Sequence, residues 1–345
     1  MGIVSPVQLN DYITIAAERD ISDLHFIPEH PVFYRDTNTG KICPFADNRR
    51  LSLENIINLI NQNSAIKSKM DGSSIGDIDV SLTTSTERGD IHSRLNLFFT
   101  HDGPALAVRI FPNFIPSINK LGLPGVVQNL IRKSYGLIVF TAPTGNGKTT
   151  SIASMLETIN DNEAKRIITI EDPVEYVFSS KQSVISQREI GKDCKSFSEG
   201  LRASLREDPD IIMVGEMRDR ETILTAISAA ESGHLVFSTL HAGNTVQAID
   251  RIKQYFNGNE QEQIQAQFAN SFRAVVAQKL IPRKDGHGRV AAFEVLLNND
   301  ATRSLIRTGE AFRLPGYMNL KDGMFTMKYS INDLQMRGVI DNGQA

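Results

Sequence analysis

The residues with the plainest chemical purpose run consecutively: Ala142-Pro143-Thr144-Gly145-Asn146-Gly147-Lys148-Thr149-Thr150. They follow the pattern G-x-x-x-x-G-K-[ST], with Ala142 where the first glycine would stand. Gly145 and Gly147 let the backbone turn so that successive N–H groups face inward as an anion nest, and Ala142 needs only an angle that alanine adopts. An apolar run precedes the stretch and a helical pattern follows it, so the positive end of a helix adds to the attraction for an anion. In such a cradle Lys148 reaches the β- and γ-phosphates of a nucleoside triphosphate and the Thr149 hydroxyl ligates Mg²⁺, while Pro143, Thr144, Asn146 and Thr150 complete the loop. ATP and Mg²⁺ are the expected cofactors. The bland alternative is a glycine-rich strand–helix turn with an exposed lysine.

Transfer of a phosphoryl group to water also needs acids. Ile211-Ile-Met-Val-Gly-Glu216 is an apolar strand ending in a carboxylate, and Glu216 is the candidate for polarising the attacking water. Its alternative is a solvated acid after a strand. Glu171-Asp172-Pro173-Val174-Glu175 follows another apolar run. Glu175 is placed to act on Mg²⁺ or water, with Glu171 and Asp172 shaping the turn; the alternative is an acid cluster opening a helix before Tyr176. His234 and His241 flank a fourth apolar run, with no cysteine or further histidine nearby to make a metal site. Each divides evenly between a hydrogen-bonded structural residue and a sensor of the γ-phosphate.

The elements that must hold these groups alternate. Strands are predicted at 137–141, 167–170, 211–214 and 235–239. A helix is predicted at 148–159, a second after the capping box at Ser196 and Glu199, and a third at 220–232 ahead of Gly233. Strand–helix alternation with wholly apolar strands means a mostly parallel sheet covered on both faces. Before about residue 112 the pattern differs. Short strands are predicted at 77–81, 91–99 and 106–110, with Leu95, Leu97 and Phe99 on the buried side, and a helix at 53–60 turns Ile56, Ile57 and Ile60 to one face. The two prolines of 111–117 mark a linker. The expected organisation is a small α+β domain over 1–110, a hinge over 111–122 and an α/β domain over 123–345.

The chain has 345 residues, enough for two or three domains, and its 41% hydrophobic and 22% charged residues exclude wholesale disorder. The net charge of −3, from 37 basic and 40 acidic residues, lacks the basic excess of a nucleic-acid binder, and no nucleic-acid partner is expected. Cys43 and Cys194 stand far apart and make neither a disulfide framework nor a cysteine zinc site. The first residues carry no basic-then-apolar leader, Pro6 stands where a myristoylation site wants Ser or Thr, and no apolar run reaches the ~20 residues of a bilayer span. A soluble protein of a reducing compartment is expected.

Taken together, these segments resemble the secretion ATPase superfamily, and within it the type IV pilus retraction ATPases of the PilT family. The resemblance rests on the 142–150 cradle, Thr169-Ile-Glu-Asp-Pro-Val-Glu175, Leu205-Arg-Glu-Asp-Pro-Asp-Ile-Ile-Met-Val-Gly-Glu-Met-Arg-Asp219 and Gly233-His-Leu-Val-Phe-Ser-Thr-Leu-His241. In order, they are similar to that family's Walker A, Asp box, Walker B and His box, and the likeness runs from about residue 22 to about residue 336. It implies a RecA-like P-loop ATPase domain preceded by a PAS-like α+β domain, and a ring of six subunits with ATP at their interfaces. It implies that Glu216 is the catalytic glutamate, Glu175 the Asp-box acid, and His234 and His241 sensors of nucleotide state. It also implies that Arg94 and Arg109 of the N-terminal domain reach the phosphates; without it, half the weight falls on strand-edge arginines in surface ion pairs. The implied partners are an inner-membrane pilus platform protein and another pilus motor ATPase, at the cytoplasmic side of the inner membrane.

The chain departs from the family in two places. His101-Asp102 stands where an Asn-Arg pair is usual, so a third phosphate-facing arginine is missing. The motif Ala-Ile-Arg-Asn-Leu-Ile-Arg-Glu, linked to retraction, stands as Ala301-Thr302-Arg303-Ser304-Leu305-Ile306-Arg307-Thr308. Other readings are a motor for pilus assembly or type II secretion, disfavoured because such relatives carry a four-cysteine zinc insertion, and a non-hydrolysing P-loop scaffold that regulates another motor. A nucleic-acid translocase is disfavoured by the charge.

Overall fold

The computed structural model describes residues 8–36, 40–45, 50–70, 76–87, 89–112 and 114–343. The N-terminal segment read above for a leader or lipid anchor, and Asn113 of the linker, lie outside the described residues. The chain divides into two compact units, Met1–Phe114 and Ile115–Ala345. Of the expected hinge, Phe111 donates its backbone N–H to His92 of the first unit, while Ile118 is buried in a core of the second. Among the described residues no helix is long and apolar enough to cross a membrane.

The first unit contains, in chain order, α1 (Leu9–Glu18), β1 (Asp23–Phe26), β2 (His30–Pro31), β3 (Phe33–Arg35), β4 (Ile42–Pro44), β5 (Arg50–Leu51), α2 (Leu53–Asn61), α3 (Ser64–Met70), β6 (Ile78–Thr86), β7 (Gly89–Thr100) and β8 (Gly103–Ile110). Six strands form an antiparallel sheet in the order β4-β3-β1-β8-β7-β6, and β2 pairs with β5. Period-two alternation decides which face is buried. On β7, Ile91, Ser93, Leu95 and Leu97 turn inward, and they share a core with Ile13 of α1, Ile56 of α2 and Leu106 of β8, Ser93 aside. Two expectations fail here. Phe99 is exposed, because it stands one pair from the turn joining Thr100 to Gly103, at the tip of the hairpin. Ile57 is exposed as well; at 100° per residue the buried stripe is Ile56, Leu59 and Ile60, and Ile57 points off it.

The second unit continues with α4 (Gly125–Gln128), β9 (Gly136–Thr141), α5 (Lys148–Asn162), β10 (Arg166–Glu171), β11 (Val184–Glu189), α6 (Phe197–Ser204), β12 (Ile211–Val214), α7 (Arg220–Glu231), β13 (Leu235–Leu240), α8 (Thr245–Gln254), α9 (Glu260–Ser271), β14 (Phe272–Pro282), β15 (Arg289–Leu297), α10 (Asp300–Arg307) and α11 (Met327–Met336). Its seven-stranded sheet has the order β11-β10-β12-β13-β9-β14-β15 and is parallel except for β15. Both faces are covered, as the apolar strands require. On β9, Leu137 and Val139 join a core with Ile223 and Ile227 of α7 and Phe268 of α9, while Ile138 and Phe140 join the opposite one with Ile152 and Leu156 of α5. The α/β and α+β architectures are therefore those expected. The edge strand β11 and the long hairpin β14–β15 stand in addition to the predicted strands.

Candidate nucleotide-binding site

The cradle forms where fully buried β9 gives way to α5. Gly145 and Gly147 take φ of +78° and +77°, the left-handed region that a side chain resists. At Gly147 a Cβ would also come within 3.0 Å of Gln278 Nε2. That contact belongs to a tether. Gln278 Nε2 donates to the Asn146 carbonyl at 2.8 Å, Ser151 Oγ donates to Gln278 Oε1 at 2.8 Å, and the Leu280 N–H donates to Asn146 Oδ1 at 2.9 Å. Arg289 Nη1 reaches the Gly145 carbonyl at 3.3 Å. The loop is thus held by β14 and β15, while Asn146 Nδ2 donates back to the Pro143 carbonyl at 3.2 Å.

Lys148 opens α5 and is buried, its Nζ donating to the Ala142 carbonyl at 2.7 Å and to that of Pro143 at 3.4 Å. Burial lowers its pKa, and the nearby carboxylates of Glu216 and Glu175 oppose that shift. Thr149 follows on the first turn, and Thr150 Oγ1 lies 2.9 Å from the hydroxyl of Tyr176.

Because β10, β12, β13 and β9 run parallel, their C-terminal ends share one edge of the sheet. Glu216 follows β12 there. Its Oε2 accepts from Arg218 Nε at 2.7 Å, and its Oε1 lies 3.4 Å from His241 Nε2, just past β13. Arg218 Nη1 continues to Asp172 Oδ2 at 3.3 Å. Gly215 makes this approach possible: its N–H donates to the Ile170 carbonyl at 2.8 Å, and a Cβ would lie 3.2 Å from that oxygen. Glu171 is buried and accepts from Thr169 Oγ1 at 2.6 Å and Gln187 Nε2 at 3.1 Å. Burial pushes its carboxyl up to about 7, the two hydrogen bonds pull it down, and the Glu175 charge adds to the rise.

The fold therefore brings together Lys148, Thr149, Glu175, Glu216 and His241. It does not bring His234 to this edge. β13 and β9 pair from Leu235↔Gly136 to Leu240↔Thr141, so His234 stands at the other end, about 20 Å of strand away. Its Nδ1 lies 3.0 Å from the Ala229 carbonyl and 3.1 Å from Ser232 Oγ, in the turn after α7. Within this chain His234 makes the hydrogen bonds of the structural alternative and stands away from the cradle. Arg94 and Arg109 are register partners on β7 and β8 of the first unit. Within that unit Arg94 Nη2 pairs with Asp79 at 3.2 Å and Arg109 Nε with Asp23 at 3.0 Å. His101 and Asp102 form the exposed turn between the same strands.

Four residues of this neighbourhood had no role in the reading of the sequence: Arg218, Tyr176, Gln278 and Arg289. Arg218 lies inside the 205–219 segment, and Tyr176 directly follows the 169–175 segment. Gln278 offers one signal, a polar residue directly after the apolar run Val275-Val276-Ala277.

Known proteins share this architecture. Residues 8–316 match the family model described as type II/IV secretion system protein. The type IV pilus retractation ATPase PilT of Pseudomonas aeruginosa is 34% identical over 344 residues, 98% of this chain and 97% of that protein. The twitching motility protein of Neisseria gonorrhoeae is 42% identical over 249 residues, 72% of this chain and 67% of that one. Among solved structures, that of the pilus retraction motor PilT with bound ADP superposes with a TM-score of 0.85 at 40% identity, covering 97% of this chain and 95% of the other. The Legionella pneumophila ATPase DotB superposes with a TM-score of 0.83 at 26% identity, covering 99% of this chain and 96% of the other. A matched segment of this extent, on a sheet whose strand ends gather the 142–150 loop and its acids, makes the chain a member of the type II/IV secretion system protein family.

Proposed function

We propose that this protein is an ATP-hydrolysing motor that powers retraction of a type IV pilus. The observation that carries the reading is the meeting of Lys148, Glu216, Glu175 and His241 at one sheet edge, in a chain alignable end to end with a pilus retraction ATPase. The cradle N–H groups and Lys148 bind the phosphates of ATP. Glu216 accepts a hydrogen bond from water and takes its proton as the oxygen bonds to the γ-phosphorus. The bond from that phosphorus to the β,γ-bridging oxygen breaks, giving ADP and inorganic phosphate. His241 steadies the Glu216 carboxylate.

The donor set fits Mg²⁺: Thr149 offers a hard hydroxyl oxygen and Glu175 a carboxylate beside the phosphate-binding lysine. Bound there, the ion would offset charge on the transferring phosphoryl group. Among the described residues no three His, Cys, Asp or Glu gather as a metal site of their own, and Thr149 and Glu175 would hold the ion together with the nucleotide.

Arg94 and Arg109 join the phosphates when the face of β7 and β8 is presented to a nucleotide, exchanging Asp79 and Asp23 for phosphate oxygens. Six copies form a ring at the cytoplasmic side of the inner membrane, against a platform protein and beside a second motor ATPase. The 111–122 stretch is the hinge. Release of inorganic phosphate by the purified protein tests the chemistry. Deletion of its gene tests direction: excess pili with lost dispersal of aggregates supports retraction, whereas bald cells would make it an assembly motor.

A further inference from the structure

We propose that Arg218 is a positioning residue for hydrolysis, holding Glu216 in one rotamer and tying it to the turn that carries Glu175. The inference rests on the reading of Glu216 as the acid that polarises water.

The geometry is that of a planar fork used at two corners. Arg218 Nε serves Glu216 Oε2 at 2.7 Å, and Nη1 serves Asp172 Oδ2 at 3.3 Å. The two acids belong to different strands: Glu216 follows β12, and Asp172 follows β10 three residues before Glu175. The Arg218 guanidinium lies over the Phe197 ring of α6 at 5.7 Å, which limits its rotation. The acid is the more buried partner, with 17% of its side chain exposed against 53% for the arginine. A carboxylate gripped at Oε2 no longer spins about its last bond, so Oε1, beside His241, keeps a constant direction. Arg218 does not appear in the cradle, so its contribution falls on orientation rather than on binding. A surface ion pair of this exposure would add little to stability and nothing to turnover. A lysine lacks the planar fork, so its ammonium can meet both acids without fixing the plane of either carboxylate.

The test measures kcat, KM for ATP and affinity for a fluorescent ADP analogue in R218A, R218K, D172N and E216Q, each checked for its melting temperature and its oligomeric state. We expect R218A to lower kcat on the order of 10- to 100-fold with KM and ADP affinity within about twofold. R218K should recover part of the loss, and D172N should show a smaller loss in the same direction. Wild-type kcat in folded R218A, with E216Q inactive, would overturn the role of Arg218 alone. Wild-type kcat in E216Q would overturn the reading of Glu216 beneath it. Should R218A fail to fold, R218K decides: turnover equal to wild type means that no two-cornered grip is needed.

Discussion

Lys148 Nζ and the carbonyl oxygen of Ala142 lie 2.7 Å apart, so the first residue of α5 reaches back across the loop to its opening residue. The ammonium is therefore held against the carbonyl oxygens of Ala142 and Pro143 at the base of the loop. Its partners are acceptors that a phosphate oxygen can replace, since each of its donors can turn to a stronger, charged acceptor. Lys148→Ala is expected to abolish phosphate release while leaving the folded chain and its self-association intact. Turnover above about a tenth of wild type, in a colorimetric phosphate assay, would remove the lysine from the chemistry.

The tether from Gln278 to Asn146 sets the shape of the loop from outside it. Gln278→Ala deletes the 2.8 Å bond to the Asn146 carbonyl and the 2.8 Å bond from Ser151. Loss of about 1–2 kcal/mol of preorganisation corresponds to a rise of roughly 5- to 30-fold in KM for ATP, with kcat much less affected. Steady-state kinetics separates the two, and an unchanged KM would mean that the loop keeps its shape without β14.

Glu171 makes stability depend on pH. Its carboxyl sits at about 7 in the folded chain against an ordinary 4.5, so the fold favours the protonated form. The stability this contributes is complete below about 4.5 and is lost as pH rises through about 7. Glu171→Gln keeps acceptors and donors for Thr169 and Gln187 without the charge. The variant should be the more stable one above pH 7, by roughly 1–3 kcal/mol, and should lose that part of the slope. Thermal melts at pH 5 and pH 8 check this; identical slopes in the two proteins would show that Glu171 does not titrate in the window.

Thr302 occupies a position where the related motif has isoleucine, and it is buried. Its hydroxyl donates to the Leu297 carbonyl at 2.9 Å and accepts from the Asn299 N–H at 2.9 Å, completing the cap of α10 with Asn299. The departure is thus accommodated locally. Thr302→Val should cost about 1 kcal/mol of stability and leave kcat unchanged. A denaturant titration beside an activity assay measures both, and a stability equal to wild type would mean that the hydroxyl does not hold the cap.

What could be read from the residues alone was whatever is written locally. The cradle is nine consecutive residues, and its strand and helix carry their own periods, so loop, lysine and flanking elements were legible. So were the strands ending in Glu171 and Val214, because buried parallel strands are apolar throughout. Three things waited for the tertiary structure. His234 and His241 flank a predicted strand, but only its parallel pairing with β9 shows which of its two ends meets the cradle, leaving His234 at the opposite end of the sheet. Gln278 and Asn146 are joined across 132 positions by the neighbouring of β14 and β9. Arg218 becomes a bridge only when β10 and β12 end side by side. Periodicity and turn chemistry act between residues close in the chain, so a sequence displays them directly. Strand order and direction are settled by packing of the whole sheet against both layers of helices, and with them are settled which distant side chains meet.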